Sequence, residues 1–318
     1  MPATRLAPSP TGALHLGNAR TFLINWLLAR QQNWKIILRI EDLDGPRVKK
    51  DADQAAIDDL QWLGLNWDDG PIYQSSRAPL YQAAINKLIH DEKAYPCVCT
   101  RREAEAAASA PHADDMGTGI YPGTCRDRFT SVADALQKTG RYPAIRFRVP
   151  DRVVEFNDGF AGPMKVNLSN LGDFVIAKAD KTAAYHLAVV VDDADMEITH
   201  IVRGDDLLDS TARHLLLYES LGLSARIPTW FHLPLVIGAD GRRLAKRHGD
   251  TRLAHYRRQG VPAARILGLL ARWCGMNCGE ETTLDYMLAN FQWNRVPRQP
   301  IVFTAEDESW LVSQPKLS

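Results

Sequence analysis

Residues 5–18, RLAPSPTGALHLGN, constrain the fold more than any other stretch of the chain. A Pro-punctuated loop gives way to a His-Leu-Gly-Asn turn. Leu16, Ala19, Leu23, Trp26 and Leu27 then fall near helical spacing, which predicts a helix packed through one face. A glycine-bearing turn that opens a helix exposes backbone N–H groups, and the helix dipole favours an anion there. His15, Gly17 and Asn18 stand beside that position, so the local chemistry points to a nucleotide phosphate. Next, KIILRI (35–40) reads as a compact apolar strand ending in Glu41, Asp42 and Asp44. Strand, helix, strand is the grammar of a parallel α/β sheet, whose ligands collect beyond the carboxyl ends of its strands. Glu41 falls where such a site is expected.

A chain of 318 residues can bury a substantial core in one large or two to three smaller domains. No apolar run approaches the roughly 18 residues that span a bilayer, and the longest candidate, 187–191, reads as a buried strand. The first strand begins almost at the N-terminus, so no signal peptide is expected. Five cysteines, an odd number with two closely spaced pairs, suit a reducing compartment and a metal better than a disulfide framework. A cytoplasmic protein is expected, with no membrane partner. The formal net charge is zero, but its distribution is polarised: acids outnumber bases nine to three over 41–69, and bases outnumber acids nine to one over 242–272. Such a chain can present a phosphate-binding face, although a solvated helix surface has the same composition.

Further along, helices are predicted at 51–63 and 78–91. A Cys-rich segment opens at Tyr95 and carries an Ala-rich charged helix (101–108), a Gly-Thr-Gly loop and short strands at 146–149, 153–156 and 172–177. Apolar β patterning returns at 185–191 and 198–203, followed by a helix at 211–221 and a strand at 231–237. The stretch from about residue 251 reads as helical. Asp192, Asp193 and Asp195 then read as an acidic turn after a buried strand.

Four motifs in order, APSPTG…HLGN, RIEDLD (39–44), HIVRGDDLL (200–208) and RRLAKRHG (242–249), resemble the class I glutamyl-tRNA synthetase catalytic core. The resemblance implies a Rossmann-like parallel sheet with an inserted zinc-bearing α+β subdomain and a small C-terminal helical domain. The expected partition is 1–94 and 183–240 for the two halves of the catalytic domain, 95–182 for the insertion, and 241–318 for the KMSKS-like loop and a helical stem-contact-like domain. The chain runs about seventy residues past RLAKRHG, which leaves no room for an anticodon-binding domain. Together with Cys97-Val-Cys99 and Tyr121-Pro-Gly-Thr-Cys125, this resembles the shortened glutamyl-queuosine branch of the family. That branch attaches glutamate to the queuosine base in the anticodon of tRNA(Asp).

Glutamate carries two carboxylates and an ammonium, so its pocket needs cations for the first and an acid for the second. Arg5 and Arg203 offer forked donors, Glu41 pairs with the ammonium, and Ser9 and Tyr185 supply hydroxyls. The resemblance places all five on substrate, with Arg5, Leu6, Ala7, Pro8 and Ser9 as one wall. His15, Gly17 and Asn18 meet ATP from one side and Lys246 from the other, so His15 and Lys246 are the expected catalytic pair. Mg²⁺ travels with ATP. RLAKR departs from the family's KLSKR: Arg243 and Ala245 replace a lysine and a serine, while Lys246 is retained.

Cys97, Cys99 and Cys125 need one further ligand to close a structural zinc site, one ion per chain. The resemblance puts Tyr121 there. His112, inside the long gap, is chemically the better donor, and three buried thiols without metal remain an alternative. The expected partners are ATP, L-glutamate and queuosine-containing tRNA(Asp), bound by a monomer. Open alternatives are a truncated glutamyl-tRNA synthetase charging a tRNA 3′ end, a nucleotidyltransferase of the same superfamily and a non-catalytic RNA-binding paralogue.

Overall fold

Two apolar strands buried on both faces set the architecture. β1 (Ala3–Leu6) leads through α1 (Leu16–Gln31) to β2 (Lys35–Ile40), and α2 (Ala52–Trp62) leads to β3 (Asp69–Tyr73). The computed structural model describes every residue except 11, 44–47, 101, 105–119, 243, 245–249 and 314–318. β2 pairs parallel with β1 on one side and β3 on the other. Double-sided burial is what helices on both faces of a parallel sheet require.

After α3 (Ala78–His90) the chain builds the insertion. β4 (Ala94–Cys97), β5 (Ala144–Phe147) and β8 (Phe174–Ala177) form an antiparallel sheet, while β6 (Val153–Asp158) and β7 (Gly162–Asn167) make a hairpin. α4 (Val132–Thr139) starts where Ser131 accepts the Asp134 N–H and stops at Gly140, whose φ of 68° is left-handed. Tyr95, Cys97, Tyr121, Cys125, Phe129 and Ala135 form a small core of their own here.

The chain returns through α5 (Tyr185–Asp195), β9 (His200–Gly204), α6 (Ser210–Ser220) and β10 (Thr229–Leu233). β9 and β10 pair parallel. β9 lies beside β1, where Thr199 N–H donates to the Ala3 carbonyl at 2.9 Å and Ala3 N–H to Thr199 Oγ1 at 2.8 Å. The spatial order is therefore β3-β2-β1 followed by β9-β10, two parallel sheets that meet at β1 and β9. The chain leaves β1 on one side and re-enters on the other, so the crevice beyond the carboxyl ends of β1 and β9 is a topological switch point.

Beyond β11 (Val236–Ile237) follow α7 (Leu253–Arg258), α8 (Ala263–Trp273), α9 (Leu284–Asn290), β12 (Ile301–Val302) and α10 (Ala305–Val312). These elements share one apolar core with α1, including Leu23, Leu27, Tyr256, Ile266 and Leu270. The buried Arg20 of α1 ties the two parts, donating to the Trp273 carbonyl at 3.1 Å and the Pro234 carbonyl at 2.7 Å.

Several expectations are corrected. The 185–191 run is the first half of helix α5, not a strand: a short apolar run has no period of its own, and this helix is buried around most of its circumference. Asp192 and Asp193 accordingly lie on a buried helix and not in a turn. The 231–237 strand is interrupted at Pro234, and β11 pairs with β12 from a segment expected to be wholly helical. β3, with Gly70-Pro71 inside it, escaped notice because that dipeptide reads as a turn, although proline is tolerated at a sheet edge.

Candidate active site

At the switch point lies a cavity of about 430 Å³. Arg5, Ala7, Pro8, Ser9, His15, Gly17, Asn18, Glu41, Tyr185 and Arg203 all line it. Residues separated by up to two hundred positions in the chain thus converge. Leu6 does not line it: as the last residue of β1 it alternates to the other face and is fully buried in the α1 core. Lys246 and His112, with Arg243 and Ala245, lie outside the described residues.

His15 is the N-cap of α1. Its Nδ1 accepts the Gly17 N–H at 3.1 Å and the Asn18 N–H at 3.4 Å, and the Asn18 Oδ1 accepts the His15 N–H in return. This reciprocal box orders the helix entrance. It also assigns the tautomer: a ring nitrogen that accepts two backbone protons carries none, so the neutral ring holds its proton at Nε2. A Cβ at Gly17 would stand 3.0 Å from the His15 ring, so a side chain there would press on that ring.

The floor carries a buried charge layer. Arg39 of β2 is fully buried and donates to Asp193 Oδ1 at 2.6 Å and to Glu41 Oε1 at 2.9 Å. Burial opposes its charge, but Asp193, Glu41 and Asp192 outweigh that and raise its pKa well above the usual guanidinium value. Arg5 Nε lies 3.4 Å from the same Asp193. Asp192, one residue earlier, receives Gln74, Arg77 and Tyr81. The loop after β1 is clasped to Glu41: Glu41 N–H donates to the Pro8 carbonyl at 3.0 Å and Ser9 Oγ to the Glu41 carbonyl at 3.3 Å. Glu41 thereby faces the cavity beside Tyr185, which is exposed within the cleft and whose phenol is pushed up by the surrounding protein and by that carboxylate.

Arg203, at 4% exposure, ends β9 against the opposite wall. Its Nε donates to His232 Nε2 at 2.9 Å, and its Nη2 to Thr211 Oγ1 at 2.9 Å and the Leu207 carbonyl at 3.2 Å. Asp158 and His214 are neighbours of this arginine's hydrogen-bond network that the sequence did not single out. A polar residue inside an apolar stretch, as in TWFHL or STARHLLLY, was the available signal. His232 sits behind Arg203 and does not itself line the cavity.

In the insertion, the Sγ atoms of Cys97, Cys99 and Cys125 lie within 4.8 Å of one another. The Tyr121 hydroxyl is 3.3 Å from Cys97 Sγ and 3.4 Å from Cys99 Sγ, and accepts the Cys125 N–H at 3.0 Å. Arg146 donates to Cys97 Sγ at 3.2 Å and stacks over the Tyr121 ring. Cys274 and Cys278 form no such cluster; Cys274 is core and Cys278 contacts the Gly268 carbonyl.

With this geometry the chain belongs to the class I tRNA synthetases: residues 3–310 match the family described as tRNA synthetases class I (E and Q), catalytic domain. Among its relatives is a glutamyl-Q tRNA(Asp) synthetase of Rhodopirellula baltica, 49% identical over 94% of this chain and 95% of that protein. A glutamate–tRNA ligase of Heliobacterium modesticaldum is 39% identical over 96% of this chain but only 64% of its own length. A glutamate tRNA ligase from Elizabethkingia meningosepticum, solved in complex with its amino acid, is 31% identical with a TM-score of 0.82, over 98% of this chain and 68% of that one.

Proposed function

We propose that this enzyme activates L-glutamate with ATP and transfers it to the queuosine base in the anticodon of tRNA(Asp). The carrying observation is two buried arginines, Arg5 and Arg203, sharing one cavity with Glu41 and the capped α1 entrance. The arginines take the carboxylates of glutamate and Glu41 takes its ammonium, with Ser9 and Tyr185 orienting the chain. Aspartate, one methylene shorter, fails to span both.

An α-carboxylate oxygen of glutamate attacks the α-phosphorus of ATP, the bond to the β-phosphate bridge breaks, and pyrophosphate leaves. No base is needed because the carboxylate is already ionised at neutral pH. Charge spreads over the phosphoryl oxygens, where the α1 N-terminus, the N–H-bearing edge of His15 and Mg²⁺ brought by ATP stabilise it. We assign Lys246 to the opposite side of the triphosphate. Apolar Phe22, Leu235 and Val236 in the same cavity suit the adenine ring. A hydroxyl of the queuosine cyclopentenediol then attacks the acyl carbon and AMP leaves.

The thiol cluster fits zinc: three sulfurs and a phenol oxygen converge, and the Arg146 guanidinium offsets the negative charge of thiolate ligands. Cys97, Cys99, Cys125 and Tyr121 would hold one structural ion, which would supply a cross-link within the 95–182 subdomain. The 241–318 segment is read as the helical part facing the tRNA. No helix among the described residues is long and apolar enough to cross a membrane. The cytoplasm supplies ATP and tRNA together, and one chain contains the whole cavity, so a cytoplasmic monomer suffices.

Transfer of labelled glutamate to tRNA(Asp) with and without queuosine tests the acceptor. Labelling that needs the modified base and survives periodate treatment of the tRNA 3′ end is expected once the queuosine diol is protected. Charging of tRNA(Glu) at its 3′ end instead would favour the truncated glutamyl-tRNA synthetase.

A further inference from the structure

Arg203 differs from the other buried guanidiniums around the site. Arg39 is paired with Asp193 and Glu41, and Arg5 Nε lies 3.4 Å from Asp193. Among the described residues no carboxylate forms an ion pair with Arg203. Its hydrogen-bond partners are all neutral acceptors: His232 Nε2, His214 Nδ1 at 3.4 Å, Thr211 Oγ1 and the Leu207 carbonyl.

We propose that His232, anchored by Asp158, and His214, anchored by His186, are positioning residues for glutamate recognition, holding Arg203 as neutral imidazoles so that its charge faces the cavity uncancelled. The inference rests on the reading of Arg203 as a carboxylate receptor and explains how the fold keeps it one. A carboxylate at either histidine position would grip Arg203 more tightly, yet would neutralise it before substrate arrives. A neutral acceptor fixes the direction of the fork and leaves the field intact.

The tautomers follow from the donors. Arg203 only donates, so His232 Nε2 accepts and the His232 proton sits on Nδ1, 2.6 Å from Asp158 Oδ2. Asp158 is fully occupied as an acceptor: its Oδ1 also takes the N–H groups of Phe160, Ala161 and His232. By the same logic His214 Nδ1 accepts from Arg203, and its Nε2–H donates to His186 Nδ1 at 3.2 Å. The two props thus carry their protons on opposite ring nitrogens, each proton pointing away from the guanidinium. All three rings resist protonation. Burial, Arg213 and Arg203 push His186 down to about 3. Burial, Arg203, His186, Arg5 and His232 push His214 well below its ordinary value. For His232, burial and Arg203 prevail over the opposing pull of Asp158 and Asp205.

The test pairs kinetics with a spectrum of the unaltered protein. In glutamate-dependent ATP–pyrophosphate exchange, His214→Phe, which has no acceptor, is expected to raise the glutamate KM about tenfold or more while the ATP KM stays within about twofold. His214→Asn, whose Oδ1 replaces Nδ1, is expected to recover to within about threefold of the original. In ¹⁵N-histidine spectra of the wild-type protein, His232 should be the Nδ1–H tautomer and His214 the Nε2–H tautomer, both neutral at pH 7. The spectrum decides even if His214→Phe fails to fold. An imidazolium at either position at that pH, identical tautomers, or an unchanged glutamate KM in His214→Phe alongside a raised one in Arg203→Ala would overturn the inference. If Arg203→Ala itself leaves the glutamate KM unchanged, the carboxylate-receptor reading falls first and this inference with it.

Discussion

Arg39, Arg203 and Asp59 are all buried charged residues, and their surroundings separate their roles. Arg39 is neutralised by two carboxylates and serves as scaffold under Arg5 and Glu41; Arg203 is left with neutral partners and faces the cavity. Asp59 of α2 is fully buried, with neither carboxylate oxygen hydrogen-bonded, and has Arg257 3.6 Å away. Burial outweighs that arginine and pushes its carboxyl up to about 6. A carboxyl whose pKa is raised on folding stabilises the fold fully below its unfolded value and loses that contribution as pH rises through the folded one. Asp59→Asn should therefore gain stability relative to wild type between about pH 4 and 6, by about 1–3 kcal/mol, and hold the gain above. Chemical denaturation at pH 4 and pH 7 checks this; an equal difference at both would remove Asp59 as a titrating strain. At this scale the sequence was readable where motif and chemistry agreed, as for Arg5, Glu41 and Arg203. It was silent for Asp158 and His214, because a buried polar residue acquires meaning only from partners brought by distant strands.

The entrance of α1 is the element that links fold to chemistry. Residues 15–18 were legible as a helix entrance because their polar side chains satisfy the backbone N–H groups that open α1. The ring of His15 is trapped between its own cap bonds and the missing side chain of Gly17. Gly17→Ala should raise the ATP KM several-fold through displacement of that ring. Stability should be unchanged or up to about 1 kcal/mol higher, since alanine favours a helix over glycine. Melting curves beside exchange kinetics check the pairing, and loss of both together would show that the glycine serves packing alone. α5 shows the opposite case. Its apolar run mimicked a buried strand, and only tertiary contact explains why Asp192 and Asp193 follow it into the core.

Across the whole molecule, the order β3-β2-β1 followed by β9-β10 creates the crevice, and the insertion and C-terminal helices are attached around it. The βαβ grammar and the second run of β9 and β10 were readable from hydrophobic patterning. The pairing of β11 with β12 was not, because two-residue strands carry no pattern and join segments 65 positions apart. The core around Tyr95, Phe129 and the three cysteines is small, so a metal cross-link would add to its stability. Purified protein should contain about one zinc per chain, and chelation should lower the unfolding temperature while leaving the parallel sheet folded. A zinc-free preparation with the same unfolding temperature would reduce the cluster to thiol packing.

The central claim is that a cavity built from Arg5, Glu41, Arg203 and the His15-capped helix holds glutamate against the α-phosphorus of ATP. Glutamate-dependent ATP–pyrophosphate exchange without any tRNA, run beside aspartate and glutamine, measures this most directly. Exchange sustained by glutamate, with aspartate and glutamine near background, is the predicted result. No exchange with glutamate, or equal rates with all three amino acids, would contradict it.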